Sequence, residues 1–311
     1  MLTFFEKKCR KSVFFTKKYI FLRSLRGKLH NSDIFCIFAG RMEKSILLRG
    51  QLIDFSRPRV MAIVNLSTDS FYTSCSMDDE ANFLLHIEQL LQDGADWLDL
   101  GACSTRPNSQ PVSAQQEWEL LRRGVEMIRQ HWSAVPISVD TFRSEIAEQA
   151  LLYGADMIND VYANDDMWNV VAKYRVPYVL TFSREINGQN HLLAETMHFL
   201  QGKLDVLHRK GVADVMIDPG FGFGKTQQQN YELLRQLDIL QVLRAPVLVG
   251  VSRKSMLYKP LGVTPSDVLP ATIAANTIAL ERGASILRVH DVVAAKQAID
   301  VYTMTHNKIM Q

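Results

Sequence analysis

PISVDTFRSEIAEQALLYGADMINDV, residues 136–161, holds one full turn of the pattern that decides the fold. An apolar run at 136–139 ends on Asp140, and residues 144–152 carry helical spacing. Gly154 stands where that helix should stop, and a second apolar run at 155–158 ends on Asn159-Asp160. Short strands alternating with helices imply parallel pairing in a sheet covered on both faces.

The same pattern extends in both directions. Apolar runs fall near 60–66, 97–100, 176–182, 215–217, 246–251 and 286–289, making eight with the two above. Helical spacing is readable over 81–91, 118–128, 167–174, 192–210, 230–243, 266–282 and 292–303. Gly94-Ala95-Asp96, Gly154-Ala155-Asp156, Gly211-Val212-Ala213 and Gly283-Ala284-Ser285 each follow a helix, as left-handed caps would. Eight such units over residues 58–305 match a closed (β/α)8 TIM barrel, typically about 250 residues long, as a single α/β domain. An open doubly wound sheet is the rival arrangement.

In such barrels the site forms at the C-terminal ends of the strands. The residues there are amides and acids first: Asn65, Asp99, Asp140, Asn159-Asp160 and Asp218. Cations come last, in Ser252-Arg253-Lys254 and Arg288-Val289-His290. A ligand with hydrogen-bond donors at one end and negative charge at the other suits that order. Arg288 and His290 are two apart and share a face, so both can bind one anion; pairing with Asp291 would instead remove Arg253 or Arg288 from that role. Asp140 has its own alternative, capping the helix that follows.

Asp218-Pro219-Gly220-Phe221-Gly222-Phe223-Gly224-Lys225-Thr226 ends like a phosphate loop but has Pro219 where that motif needs glycine. It reads as a glycine-rich turn displaying Asp218 and Phe223, with Asn230 capping the next helix. Asn65 to Phe71 and Gly101 to Asn108 read as polar loops whose Phe71 and Arg106 can close over a ligand.

The chain has 311 residues, 47% hydrophobic and 22% charged, with formal net charge +2. Residues 1–41 carry ten Lys and Arg against Glu6 and Asp33, so the remainder is mildly acidic. Neither nucleic acid nor an anionic membrane is indicated as a partner. That leader is rich in Phe and lacks the uninterrupted apolar stretch of a signal peptide. It is expected to be a dispensable extension with Met42 as the functional start, and 42–57 a lead-in segment. Cys9, Cys36, Cys75 and Cys103 form no C-x-x-C pair, as expected of reduced thiols in a cytoplasmic protein. No stretch approaches the roughly 18 apolar residues needed to cross a bilayer.

Taken together, Asn65 to Phe71, Ser104-Thr105-Arg106-Pro107, Ser138 to Thr141, Asn159 to Val161, Asp218 to Thr226, Ser252-Arg253-Lys254 and Arg288-Val289-His290 resemble the motifs of dihydropteroate synthases, in order, over about residues 58–300. The resemblance implies a transferase of folate biosynthesis. It would condense 4-aminobenzoate with 6-hydroxymethyl-7,8-dihydropterin diphosphate, releasing pyrophosphate with the help of Mg2+. It implies that Asp140, Asn159, Asp218 and Lys254 hold the pterin, and that Asn65, Thr105, Arg288 and His290 hold the diphosphate. Asn65 would also be at the metal, and Phe71, Arg106, Pro107, Phe223 and Ser255 would surround the aminobenzoate. Asp140, Lys254 and Arg288 would carry the chemistry, in a homodimer. The chain departs from the family at Thr68, Tyr72-Thr73-Ser74-Cys75, Ala102-Cys103 and Thr181-Phe182-Ser183-Arg184. It also has Tyr162-Ala163-Asn164 where Ser-Gly is usual. A weakly active pterin-binding paralogue and a pterin-dependent methyltransferase of similar barrel type are the alternatives.

Overall fold

The computed structural model describes residues 44–67, 75–76, 79–102, 112–185 and 192–306. The leader 1–41 and the loop residues Phe71, Thr105, Arg106 and Pro107 lie outside them.

Eight parallel strands form the barrel: β3 (Arg59–Ser67), β5 (Trp97–Gly101), β6 (Ile137–Asp140), β7 (Met157–Asp160), β8 (Tyr178–Thr181), β9 (Val215–Asp218), β10 (Leu248–Val249) and β11 (Ile286–Val289). They are hydrogen-bonded in the order β10-β11-β3-β5-β6-β7-β8-β9, and a parallel bridge between Ile217 and Val247 joins the two ends. Two short strands, β1 (Ser45–Leu48) and β2 (Gln51–Asp54), make an antiparallel hairpin ahead of it, and β4 (Cys75–Ser76) pairs with the end of β3. This is the barrel expected from the alternation, and the open sheet is excluded by the closing bridge.

The helices between the strands are α1 (Glu80–Gln92), α2 (Ala114–His131), α3 (Ser144–Leu152), α4 (Asp165–Tyr174), α5 (Leu192–Arg209), α6 (Gln227–Arg235), α7 (Ser255–Leu261), α8 (Leu269–Glu281) and α9 (Val292–His306). The helix expected over 230–243 is two pieces, since α6 ends at Arg235 and a 3-10 segment takes over at Leu237–Leu243. Leu237 and Leu240, three apart and both buried, suit either geometry over so short a stretch. Asn230 does not cap α6. Thr226 does, in a reciprocal pair with Gln229, while the Asn230 side chain accepts from Gly222 N at 2.7 Å and donates to the carbonyl of Thr226 at 2.8 Å.

The hairpin plugs the lower end of the barrel. Ile46 and Leu48 pack into one cluster with Met61, Trp97, Met157, Val179, Met216, Leu248 and Ile286, which lie at or near the strand starts, and Phe55 meets Trp97 edge-on at 6.1 Å. The four glycine joints all adopt positive φ, at Gly94, Gly154, Gly211 and Gly283. After three of them a side chain accepts the first amide of the adjacent strand region: Asp96 from Val60, Asp156 from Ile137 and Ser285 from Val247. Asp214, after the fourth, accepts from Leu47 of the hairpin instead.

Candidate active site

Strand alternation sends every second side chain into the barrel. At the upper end, register places Asp99 beside Ser138, Gly101 beside Asp140, Asp140 beside Asn159, and Thr181 beside Asp218. Asp160, one residue past Asn159, faces the helix layer instead. It accepts from Tyr178 Oη at 2.7 Å and from the amides of Tyr162 and Ala163, and Trp168 Nε1 donates to the same Tyr178 hydroxyl.

Arg288 reaches across the mouth from β11. Its Nε donates to Asp99 Oδ2 at 2.5 Å and its Nη2 to Asp140 Oδ2 at 2.6 Å. Asn159 Nδ2 donates to the same Asp99 oxygen at 3.0 Å. Asp99 is fully buried, so it needs this compensation: breaking a buried ion pair by removing one partner typically costs about 3–5 kcal/mol. Asp140 therefore serves the mouth and does not cap α3, whose N-cap position has no side-chain bond. The role of Asp99 was not legible in the sequence, because only the pairing of the last strand with the first, β11 with β3, brings β5 within reach of β11.

Burial pushes the Asp140 carboxyl up to about 7, against the pull of Arg288 and with Asp99 and Asp160 adding repulsion. Burial also raises Asp218, opposed by Lys254 and by the Gly220 amide that bonds it at 2.7 Å. Burial by itself would lower Arg288, but Asp99 and then Asp140 hold its guanidinium above the ordinary arginine range.

The glycine-rich turn is shaped by close approach. A Cβ on Gly220, at φ 71°, would strike the carbonyl oxygen of Phe182. Lys225 Nζ fills the space beside it, donating to the carbonyls of Gly220 at 2.8 Å, Phe182 at 3.0 Å and Phe223 at 3.1 Å. Three acceptors match the three protons of an ammonium, although burial pushes Lys225 down to about 7. Lys254 comes from the other side, donating to the carbonyl of Phe221 and lying 5.0 Å over the Phe223 ring. Asp218, Phe223 and Lys254 thus form one wall.

Ser255 opens α7 directly after Lys254. Arg253 is turned away, forked onto Asp291 at 2.6 and 3.0 Å, so of the last cations it is spent on structure. Ser252 Oγ lies 3.0 Å from His290 Nδ1. Asn65 is exposed at the end of β3. Among the described residues no group of three His, Cys, Asp or Glu could hold a metal ion. Phe182, standing in a departure from the family pattern, continues the strand ladder by donating to the carbonyl of Asp218 at 2.9 Å, and its ring packs 4.6 Å from Lys225 Nζ.

Residues 61–290 match the family described as pterin binding enzyme. A dihydropteroate synthase of Clostridium beijerinckii is 33% identical over 248 residues, covering 78% of this chain and 92% of that one. The Bacillus subtilis dihydropteroate synthase is 34% identical, covering 75% and 83%. Among solved structures, the Yersinia pestis dihydropteroate synthase in a sulfonamide drug complex superimposes with TM-score 0.79 at 33% identity, covering 84% of this chain and 98% of that one. The Xanthomonas albilineans enzyme in complex with 7,8-dihydropteroate gives TM-score 0.74 at 34% identity, covering 85% and 98%.

Proposed function

Since the chain belongs to the pterin-binding enzyme family, in the dihydropteroate synthase branch of it, we propose how its barrel mouth carries out that synthesis. It is a transferase of folate biosynthesis, and neither the methyltransferase nor the weakly active paralogue reading is favoured. The observation that carries the residue assignment is the Arg288 guanidinium held between Asp99 and Asp140, with Asn159 on the same Asp99 oxygen.

Asp140, Asn159, Asp218 and Lys254 hold the pterin. Two carboxylates and an amide accept from and donate to its ring edge, and the ammonium complements its acceptors. Arg288, through the Nη1 that its bonds to Asp99 and Asp140 leave over, and His290, with Asn65 and Thr105, take the diphosphate. Phe71, Arg106, Pro107, Phe223 and Ser255 surround the aminobenzoate. The aromatic amine attacks the methylene carbon while its bond to the diphosphate oxygen breaks, and the amine proton is lost. The neutral amine needs little activation, so the barrier lies in the departing charge, which Arg288 stabilises. Asp140 stabilises positive charge developing on the pterin.

Asn65 offers one neutral oxygen donor, which fits Mg2+ only as an ion that enters with the diphosphate, because this cation commonly keeps waters and substrate phosphates as ligands. Bound there, it would neutralise charge on the leaving group. No helix among the described residues is long and apolar enough to cross a membrane. We place the enzyme in the cytoplasm, working on small molecules, with residues 58–305 as its catalytic domain. A homodimer is supported by the exposed Leu261, Val263, Ile278, Val301 and Met304 on α7, α8, α9 and the turn after α7.

Pyrophosphate release from the purified chain tests this reading, given the dihydropterin diphosphate with and without 4-aminobenzoate, and with Mg2+ removed. Release should require both the aminobenzoate and the metal. Release independent of the aminobenzoate would sink the synthase assignment.

A further inference from the structure

Ser252 and His290 meet at the cationic end of the mouth through two contacts. The backbone amide of His290 donates to Ser252 Oγ at 3.2 Å, and the same Oγ lies 3.0 Å from His290 Nδ1. Ser252 is 5% exposed. A serine hydroxyl has one proton and two lone pairs. The amide of His290 uses one lone pair, leaving the proton and the second lone pair for the ring.

In the neutral ring, Nδ1 is either the acceptor or the donor. If Nδ1 carried the proton, it would donate into the second lone pair, and the hydroxyl proton would need another acceptor. Among the described residues Ser252 Oγ makes no further hydrogen bond, so that arrangement buries an unsatisfied donor. If Nδ1 is bare, the hydroxyl donates to it, and both the Ser252 proton and the lone pair that takes the His290 amide are satisfied. The nearest carboxylate along the chain, Asp291, is engaged by both nitrogens of the Arg253 fork.

We infer that Ser252 is a positioning residue that holds neutral His290 in the tautomer protonated on Nε2. On protonation of the ring, Nδ1–H donates to the same Oγ, which then loses the acceptor for its own proton, so the serine favours the neutral ring; Nε2 keeps its proton throughout. The ring therefore presents an N–H at Nε2 in both charge states and never turns a lone pair toward an anion. The consequence for catalysis rests on the diphosphate reading of this end; the tautomer itself does not.

Histidine tautomers are read directly from long-range proton–nitrogen spectra of the full chain labelled with 15N-histidine. The chain has eight histidines, and loss of one signal set in His290→Gln assigns the ring. Above the ring's titration, wild-type His290 should show a pyridine-type Nδ1 and a pyrrole-type Nε2. Ser252→Ala should mix the two tautomers and raise the Kd for inorganic pyrophosphate with Mg2+ about threefold to tenfold, the value of one hydrogen bond. A pyrrole-type Nδ1 in the wild type overturns the inference, and that spectrum decides even where the variant does not fold. A folded Ser252→Ala with unchanged tautomer and unchanged Kd overturns it as well. The stated tautomer in a chain that binds no pyrophosphate upholds the inference and removes the diphosphate reading.

Discussion

Ala163 sits at φ 53°, in the left-handed region that costs a residue with a Cβ about 1–2 kcal/mol. It occupies the place where the family commonly has glycine, and Asp160 Oδ2 pins it by accepting its amide at 3.0 Å. Ala163→Gly should therefore raise unfolding stability by about 1 kcal/mol, read from the urea midpoint at unchanged slope; a lower midpoint would contradict the strain. Asp140 makes a pH prediction. Its folded carboxyl keeps its proton up to about 7, against an ordinary value of 3.8, so Asp140 favours the fold at low pH and costs stability as pH rises through that window. The ionised form is the one able to accept two pterin donors. Affinity for a pterin alcohol should climb as pH approaches 7, by up to about tenfold per unit below it, and titration calorimetry on Asp140→Asn should show that dependence weakened to the share that Asp218, also raised by burial, contributes.

At the scale of elements, the turn after β9 is held by the Lys225 ammonium rather than by its own backbone ladder. Lys225→Met removes the donor from three carbonyls at once, each worth about 1–3 kcal/mol if left buried and unmet. The expected result is a thermal midpoint lowered by several degrees and weaker pterin binding, since Asp218 and Phe223 belong to the same turn. Lys225→Arg should not restore it, because a planar fork cannot meet three carbonyls arranged around one nitrogen. An unaltered melting curve in the Met variant would contradict the clamp. This function was hidden in the sequence, where Gly224-Lys225-Thr226 resembles a phosphate loop. Local patterns named the strands, the glycine joints and most helices, because burial and capping are set by nearby residues. Asp99–Arg288, 189 positions apart, could only be seen once the last strand is paired beside the first. The same holds for Arg253, whose charge reads identically whether it faces a ligand or Asp291.

At the scale of the molecule, the lower end of the barrel depends on a hairpin that reads in the sequence only as a lead-in. Ile46 and Leu48 are almost completely buried, and Ile53 and Phe55 partly so, against the lowest barrel layer. A chain beginning at Met42 should keep full activity and stability. One beginning at Pro58 should lose on the order of 5 kcal/mol, from about 1.5–3 kcal/mol for each fully buried apolar side chain and less for the other two. Denaturant titration of the two truncations checks both statements, and equal stability of the two would mean the hairpin is ornamental.

The carboxylate of Asp214 gives the hairpin its mooring. Asp96, Asp156 and Ser285 spend their side chains stitching neighbouring strand regions together, whereas in the fourth joint the carbonyl of Asp214 takes the Tyr178 amide and leaves the carboxylate spare for Leu47. One reassigned bond turns a rim fastening into a socket. The plug docks at a vacancy in an otherwise repeated seam, so its insertion has a fixed orientation, and the barrel can be sealed below without any constraint being placed on the chemistry above.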